Sequence, residues 1–231
     1  STAHTGGSVS VISGLGSATS SGVFSIKTAD AGANGVSGAL HFNSGTTSKG
    51  SSGSITLETG AAAKGTAGSV SVVIGGGDAG AGGRITINAG SSTATSSGTG
   101  GMISLMTGAG TTTSSGGFSV RTAIAGTNGV SGALSFRTGG ATEGSSGAVA
   151  VKTGAATSGT AGSISLVIGS GDTSTGGRVV VNAGESTAHT GGSVSVISGL
   201  GSATSSGVFS IKTADAGANG VSGALHFNSG T

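Results

Sequence analysis

The 231-residue chain has no cysteine, proline, tryptophan or tyrosine, only six phenylalanines, and charge on just 7% of its residues. Without cysteine, neither disulfide staples nor thiolate chemistry is available. Without proline, every turn must be made by other residues, chiefly glycine. Nine Lys and Arg stand against seven Asp and Glu, and the basic residues are scattered singly. A phosphate backbone requires clustered positive charge, and single strands gain from aromatic stacking, so nucleic acid is not an expected partner. No apolar run approaches the ~20 residues of a spanning helix, and no charged-then-apolar leader opens the chain, so no membrane span is expected in this segment.

What the chain does have is glycine, 52 residues of it, together with serine, threonine and alanine. Such a mixture suits a flexible linker, but 34% of the residues are hydrophobic and they recur at regular spacing, which a solvated coil does not require. Residues 1–46 return unchanged as residues 186–231, so the chain holds one 185-residue unit and the start of the next, and a longer natural chain is expected. Inside the unit runs a 94-residue period: Asn34, Gly35 and Val36 reappear as Asn128, Gly129 and Val130, and Gly83-Arg84 reappears as Gly177-Arg178. Two related blocks make one unit, and residues 1–231 read as one continuous array.

Each block divides into six rungs of mostly 15 residues, opening at Gly7, Gly22, Gly38, Gly53, Gly68 and Gly83, and again from Gly101 to Gly177. A rung carries a glycine, two apolar residues two apart, and then usually Thr-Gly. The apolar pairs are Val9/Val11, Phe24/Ile26, Leu40/Phe42, Ile55/Leu57, Val70/Val72 and Ile85/Ile87 in the first block. In the second they are Ile103/Leu105, Phe118/Val120, Leu134/Phe136, Val149/Val151, Ile164/Leu166 and Val179/Val181. A spacing of two is the period of a strand, and β-branched residues dominate these positions.

One rung cannot stand alone. Burying its pair is worth roughly 3–6 kcal/mol, while ordering its backbone costs on the order of 1–2 kcal/mol per residue. Stacking of rungs would make up the deficit, so the pattern predicts an all-β fold, a parallel β-solenoid with the apolar pairs buried. The residue after each pair is always polar on even rungs (Lys27, Glu58, Asn88, Arg121, Lys152, Asn182) and mostly apolar on odd ones (Ile12, Val73, Met106, Val167, Ile197). That alternation favours two rungs per coil of ~30 residues, one sheet from odd rungs and one from even, advancing ~29 Å per unit. The exposed apolar column of the odd rungs, Ile12, Val73, Met106, Val167 and Ile197, is then a candidate lateral-contact face between copies.

Candidate chemistry is sparse. Gly75-Gly76-Gly77-Asp78 and Gly169-Ser170-Gly171-Asp172 suggest a phosphate loop or a calcium-binding β-roll. The first needs a following helix, where Arg84-Ile85-Thr86-Ile87 reads as a strand. The second needs an aspartate in nearly every turn, and the chain has only Asp30, Asp78, Asp172 and Asp215. Turn formation is the reading for both. The histidines form two repeated pairs, His4/His189 and His41/His226, with no carboxylate or second histidine at a short fixed spacing, so surface roles are expected. No serine is set apart by a nucleophile elbow. The expectation is therefore no catalytic residue, no metal site, no cofactor and no enzyme. A threonine column, Thr28, Thr59, Thr107, Thr122, Thr138 and Thr153, suggests an ice-binding rank, but Ile74, Ala89, Ile168 and Ala183 interrupt it.

Rungs such as Gly68-Ser69-Val70-Ser71-Val72 and Gly162-Ser163-Ile164-Ser165-Leu166 resemble the low-complexity solenoid repeats of large secreted adhesins and algal cell-surface proteins. The resemblance covers the whole chain and implies an extended scaffold at the cell surface or outside the cell. The functional expectation is a structural repeat protein that builds a filament, sheath or appendage from copies of itself. A rigid adhesin stalk is the alternative, and an ice-binding solenoid a minor one.

Overall fold

The computed structural model describes residues 6–94, 97–172 and 175–230. Among them there is no helix and no strand, which overturns the β-solenoid expectation together with its two-rung coil and its two sheets. The period-two pattern is present in the residues, but the backbone groups that would join rung to rung are not paired with one another. Two units are distinguished along the chain, Ser1–Phe118 and Ser119–Thr231.

What the chain forms instead is local. It bends or turns once in nearly every glycine-rich interval, at Ser17, Ala18 and Thr19, at Ser48, Lys49 and Gly50, at Ala63, Lys64 and Gly65, and onward. In the first unit three of these intervals close into loops: the amide of Gly22 donates to the carbonyl of Gly14 at 2.9 Å, Gly101 to Gly90 at 2.8 Å and Gly116 to Gly108 at 2.9 Å. A shorter turn joins Gly35 to Gly32 at 3.0 Å. Neither Ala33 nor Asn34 has positive φ, which leaves a type I β-turn. The second unit repeats the scheme with a turn from Gly129 to Gly126, loops from Gly192 to Gly184 and Gly207 to Gly199, and a turn from Gly220 to Gly217.

These closures compete with stacking at five rungs. The amides of Gly22, Gly101, Gly116, Gly192 and Gly207, which a solenoid would offer to the next rung, are spent on carbonyls eight to eleven residues earlier in the same chain. Closing so short a loop costs little entropy, whereas bringing whole rungs into register requires every glycine-rich interval to be ordered first.

No described residue is buried, so the apolar pairs expected in a core face solvent. The chain exposes 22605 Å². A compact fold of this 20.8 kDa mass would expose about 9,000 Å² and a fully unfolded chain about 30,000 Å². The pattern nonetheless leaves a trace in side-chain exposure. Phe24, Ile26 and Leu40 are 58, 50 and 50% exposed, while apolar residues off the pair positions, such as Val23 and Ile124, reach 92 and 99%.

Candidate functional site

Two kinds of surface recur along the chain, the necks where the end of one rung approaches the opening glycine of the next, hydrogen-bonded at some rungs and only in contact at others, and the exposed apolar segments between them. At a neck, the residue that ends one rung stands against the glycine that opens the next. A Cβ on Gly38 would lie 3.4 Å from the Thr28 methyl, and one on Gly68 would lie 3.5 Å from that of Thr59. Thr28, Thr59, Thr107 and Thr213 are accordingly among the few half-buried residues. Where isoleucine replaces threonine the approach is tighter: a Cβ on Gly83 would meet the Ile74 Cγ2 at 2.5 Å, and one on Gly177 would meet the Ile168 Cγ2 at 2.6 Å. The threonine column thus packs at loop necks, and with no strand to align it there is no flat rank of hydroxyls among the described residues.

Sequence reasoning missed the necks as paired elements. The spacing alone does not single them out: Gly14/Gly22, Gly108/Gly116, Gly184/Gly192 and Gly199/Gly207 are eight apart, but so are the unbonded Gly60/Gly68, Gly75/Gly83, Gly154/Gly162 and Gly169/Gly177. Reading each glycine as a turn former hid the fact that pairs of them close one loop.

The candidate lateral-contact residues Ile12, Val73, Met106, Val167 and Ile197 are all exposed, between 79 and 93%. No sheet gathers them into one face, so the column that the expected solenoid gave them is absent, while their exposure remains. Even-rung Lys27, Glu58, Arg121 and Lys152 are exposed as well.

The described histidines, His41, His189 and His226, are exposed, and His4 lies outside the described residues. The amide of His189 donates to the Ser186 hydroxyl at 3.0 Å, a turn contact inside the 184–192 loop. Asp78 and Asp172 sit in exposed bends. Among the described residues no group of three or more histidines, cysteines, aspartates or glutamates is placed to hold a metal ion. A shallow open depression is lined by the consecutive residues Arg121, Thr122, Ala123 and Ile124. No described helix is long and apolar enough to cross a membrane. No family model, curated protein or solved structure matches the chain.

Proposed function

We propose that this chain is a structural repeat protein whose copies associate into a filament, sheath or appendage outside the cell. The observation that carries the reading is the exposure of an apolar pair on every rung of a chain with almost no charge to keep it dispersed. Chains that stay open as single molecules have few apolar residues and high net charge, and this one has neither, at 34% hydrophobic with a net charge of +2. Repeated apolar surface of this extent marks interaction sites. A second copy supplies the same pattern at the same spacing, so each contact made along one pair of chains raises the effective concentration for the next.

Both the filament and the rigid-stalk readings drew stiffness from stacked rungs, and the filament reading is kept because association of copies needs only the repeated exposed apolar surface. Placement outside the cell rests on the resemblance to secreted repeats.

The test is a concentration series of the purified chain, followed by sedimentation and electron microscopy. Elongated assemblies are expected above a threshold concentration, and Val73→Lys with Val167→Lys should raise that threshold. A chain that stays monomeric at every concentration in physiological salt refutes the proposal.

A further inference from the structure

The bonded closures are not spread evenly. Among the described residues, no backbone hydrogen bond within the chain falls between residues 36 and 89, or between residues 130 and 183. These stretches correspond under the 94-residue period, so each block has a clasped part and an open part. Each open stretch contains one uncharged run of six residues free of glycine in which four are apolar. One is 69–74, Ser69, Val70, Ser71, Val72, Val73 and Ile74. The other is 163–168, Ser163, Ile164, Ser165, Leu166, Val167 and Ile168. All eight apolar side chains are exposed. High β-propensity, no charge, no proline and no glycine over six residues is the composition that pairs with its own copy.

Other uncharged runs exist but are differently placed. Residues 102–107 lie between the bonded Gly101 and Gly108, and residues 193–198 lie between the bonded Gly192 and Gly199. At both, the backbone groups flanking the run are held within the chain, and a closed loop stands at each end. Loop necks also stand at each end of 69–74 and 163–168, Gly68 against Thr59 and Gly83 against Ile74, Gly162 against Thr153 and Gly177 against Ile168, but among the described residues no backbone hydrogen bond holds them, so there the flanking glycine amides and carbonyls are free for a neighbouring chain.

We infer that copies of the chain first join at residues 69–74 and 163–168, pairing their free backbone groups antiparallel with the same segments of a second copy. The inference deepens the assembly reading above and rests on it. Charge favours the antiparallel direction wherever 69–74 takes part, whereas 163–168, with Ser158 in the place of Lys64, brings no opposite charges together when it pairs with itself. Lys64 precedes the first run and Asp78 follows it at nearly equal distance. An antiparallel second copy sets its Asp78 beside Lys64, and its Asp172 comes to the same place when 163–168 pairs with 69–74. A parallel copy in register would set lysine on lysine. Segments with an internal charge, such as that of Lys27 or Arg121, set it opposite an uncharged residue when they pair antiparallel in register with themselves, so the charge enters the joined stretch without a partner.

The test follows the lag time for assembly of the full chain by amyloid-dye fluorescence and sedimentation. Val72→Lys with Leu166→Lys should lengthen the lag about tenfold or more, while Leu105→Lys with Val196→Lys, the same position in the clasped runs, should change it less than about twofold. Lys64→Asp should slow joining, and adding Asp78→Lys should restore it. A wild-type chain that never assembles overturns the assembly reading, and this site with it. Assembly slowed equally by both lysine pairs overturns the site alone, and failure of the charge exchange to restore the rate overturns the antiparallel direction.

Discussion

Heating the dilute single chain provides the most direct check on an architecture without a core. A compact protein of this mass would bury roughly 21,000 Å² relative to its unfolded chain, and here only about 7,500 Å² is removed from solvent, near a third of that. Heat capacity of unfolding follows exposed area, at ~12–15 cal/mol/K per residue for globular proteins, which for a compact chain of this length amounts to about 3 kcal/mol/K. The expected value here is therefore about 1 kcal/mol/K. It should also be spread over a broad range of temperature, because each closed loop opens by itself with no shared core to couple it to the others. Scanning calorimetry below the assembly threshold should show a sloping trace without a peak, and circular dichroism should change gradually. A single cooperative peak, with calorimetric and van't Hoff enthalpies equal and a heat-capacity step near 3 kcal/mol/K, would refute the reasoning.

The loop necks give two further expectations. A Cβ at position 110 would lie 2.5 Å from the Ser114 carbonyl oxygen and 2.9 Å from that of Thr113, both backbone atoms, so Gly110→Ala should force the 108–116 loop open. The Gly116 amide should then exchange up to about tenfold faster, the loss of one modest hydrogen bond, and an unchanged rate would sink the claim. Gly83→Ala should shift the NMR resonance of the Ile74 Cγ2 methyl, which its Cβ would crowd, while Gly82→Ala, with nothing within 4 Å of the added carbon, should leave it in place. Equal shifts in the two variants would show that the neck does not close as described.

Local chemistry was readable in the residues, and long-range pairing was not. The glycine-rich intervals carry the bends, and most pair positions are less exposed than the other apolar residues, with Ile74, Ile168 and Val9 among the exceptions, both consequences of steric and hydrophobic preferences that act over a few residues. The solenoid required one more step, that stacking should outweigh the ordering of some nine connecting residues per rung. Gly22 shows how that step fails, because its amide finds the Gly14 carbonyl close by in sequence and is no longer available to a distant rung. The candidate face had the same weakness: Ile12, Val73, Met106, Val167 and Ile197 were grouped by an assumed sheet, and only their exposure is a property of the residues themselves.

Alternation with a period of two specifies which side chains share a face but not which backbone lies beside them. Within one chain a partner rung must be brought round through flexible glycine, serine and alanine, and the cost recurs at every rung. A second copy meets the same segment without ordering any of those connections, at a single cost in lost translational and rotational freedom. On the proposed assembly, later segments of the same two chains would then join at raised effective concentration. Mixed charges at Lys64, Asp78, Lys152 and Asp172 bracket the uncharged runs and, on the proposed assembly, would limit pairing from spreading without register. On the assembly proposed above, a repeat chain of this composition would gain by leaving its apolar segments open, because the order that one molecule does not sustain by stacking on itself would be attained when copies supply it to one another.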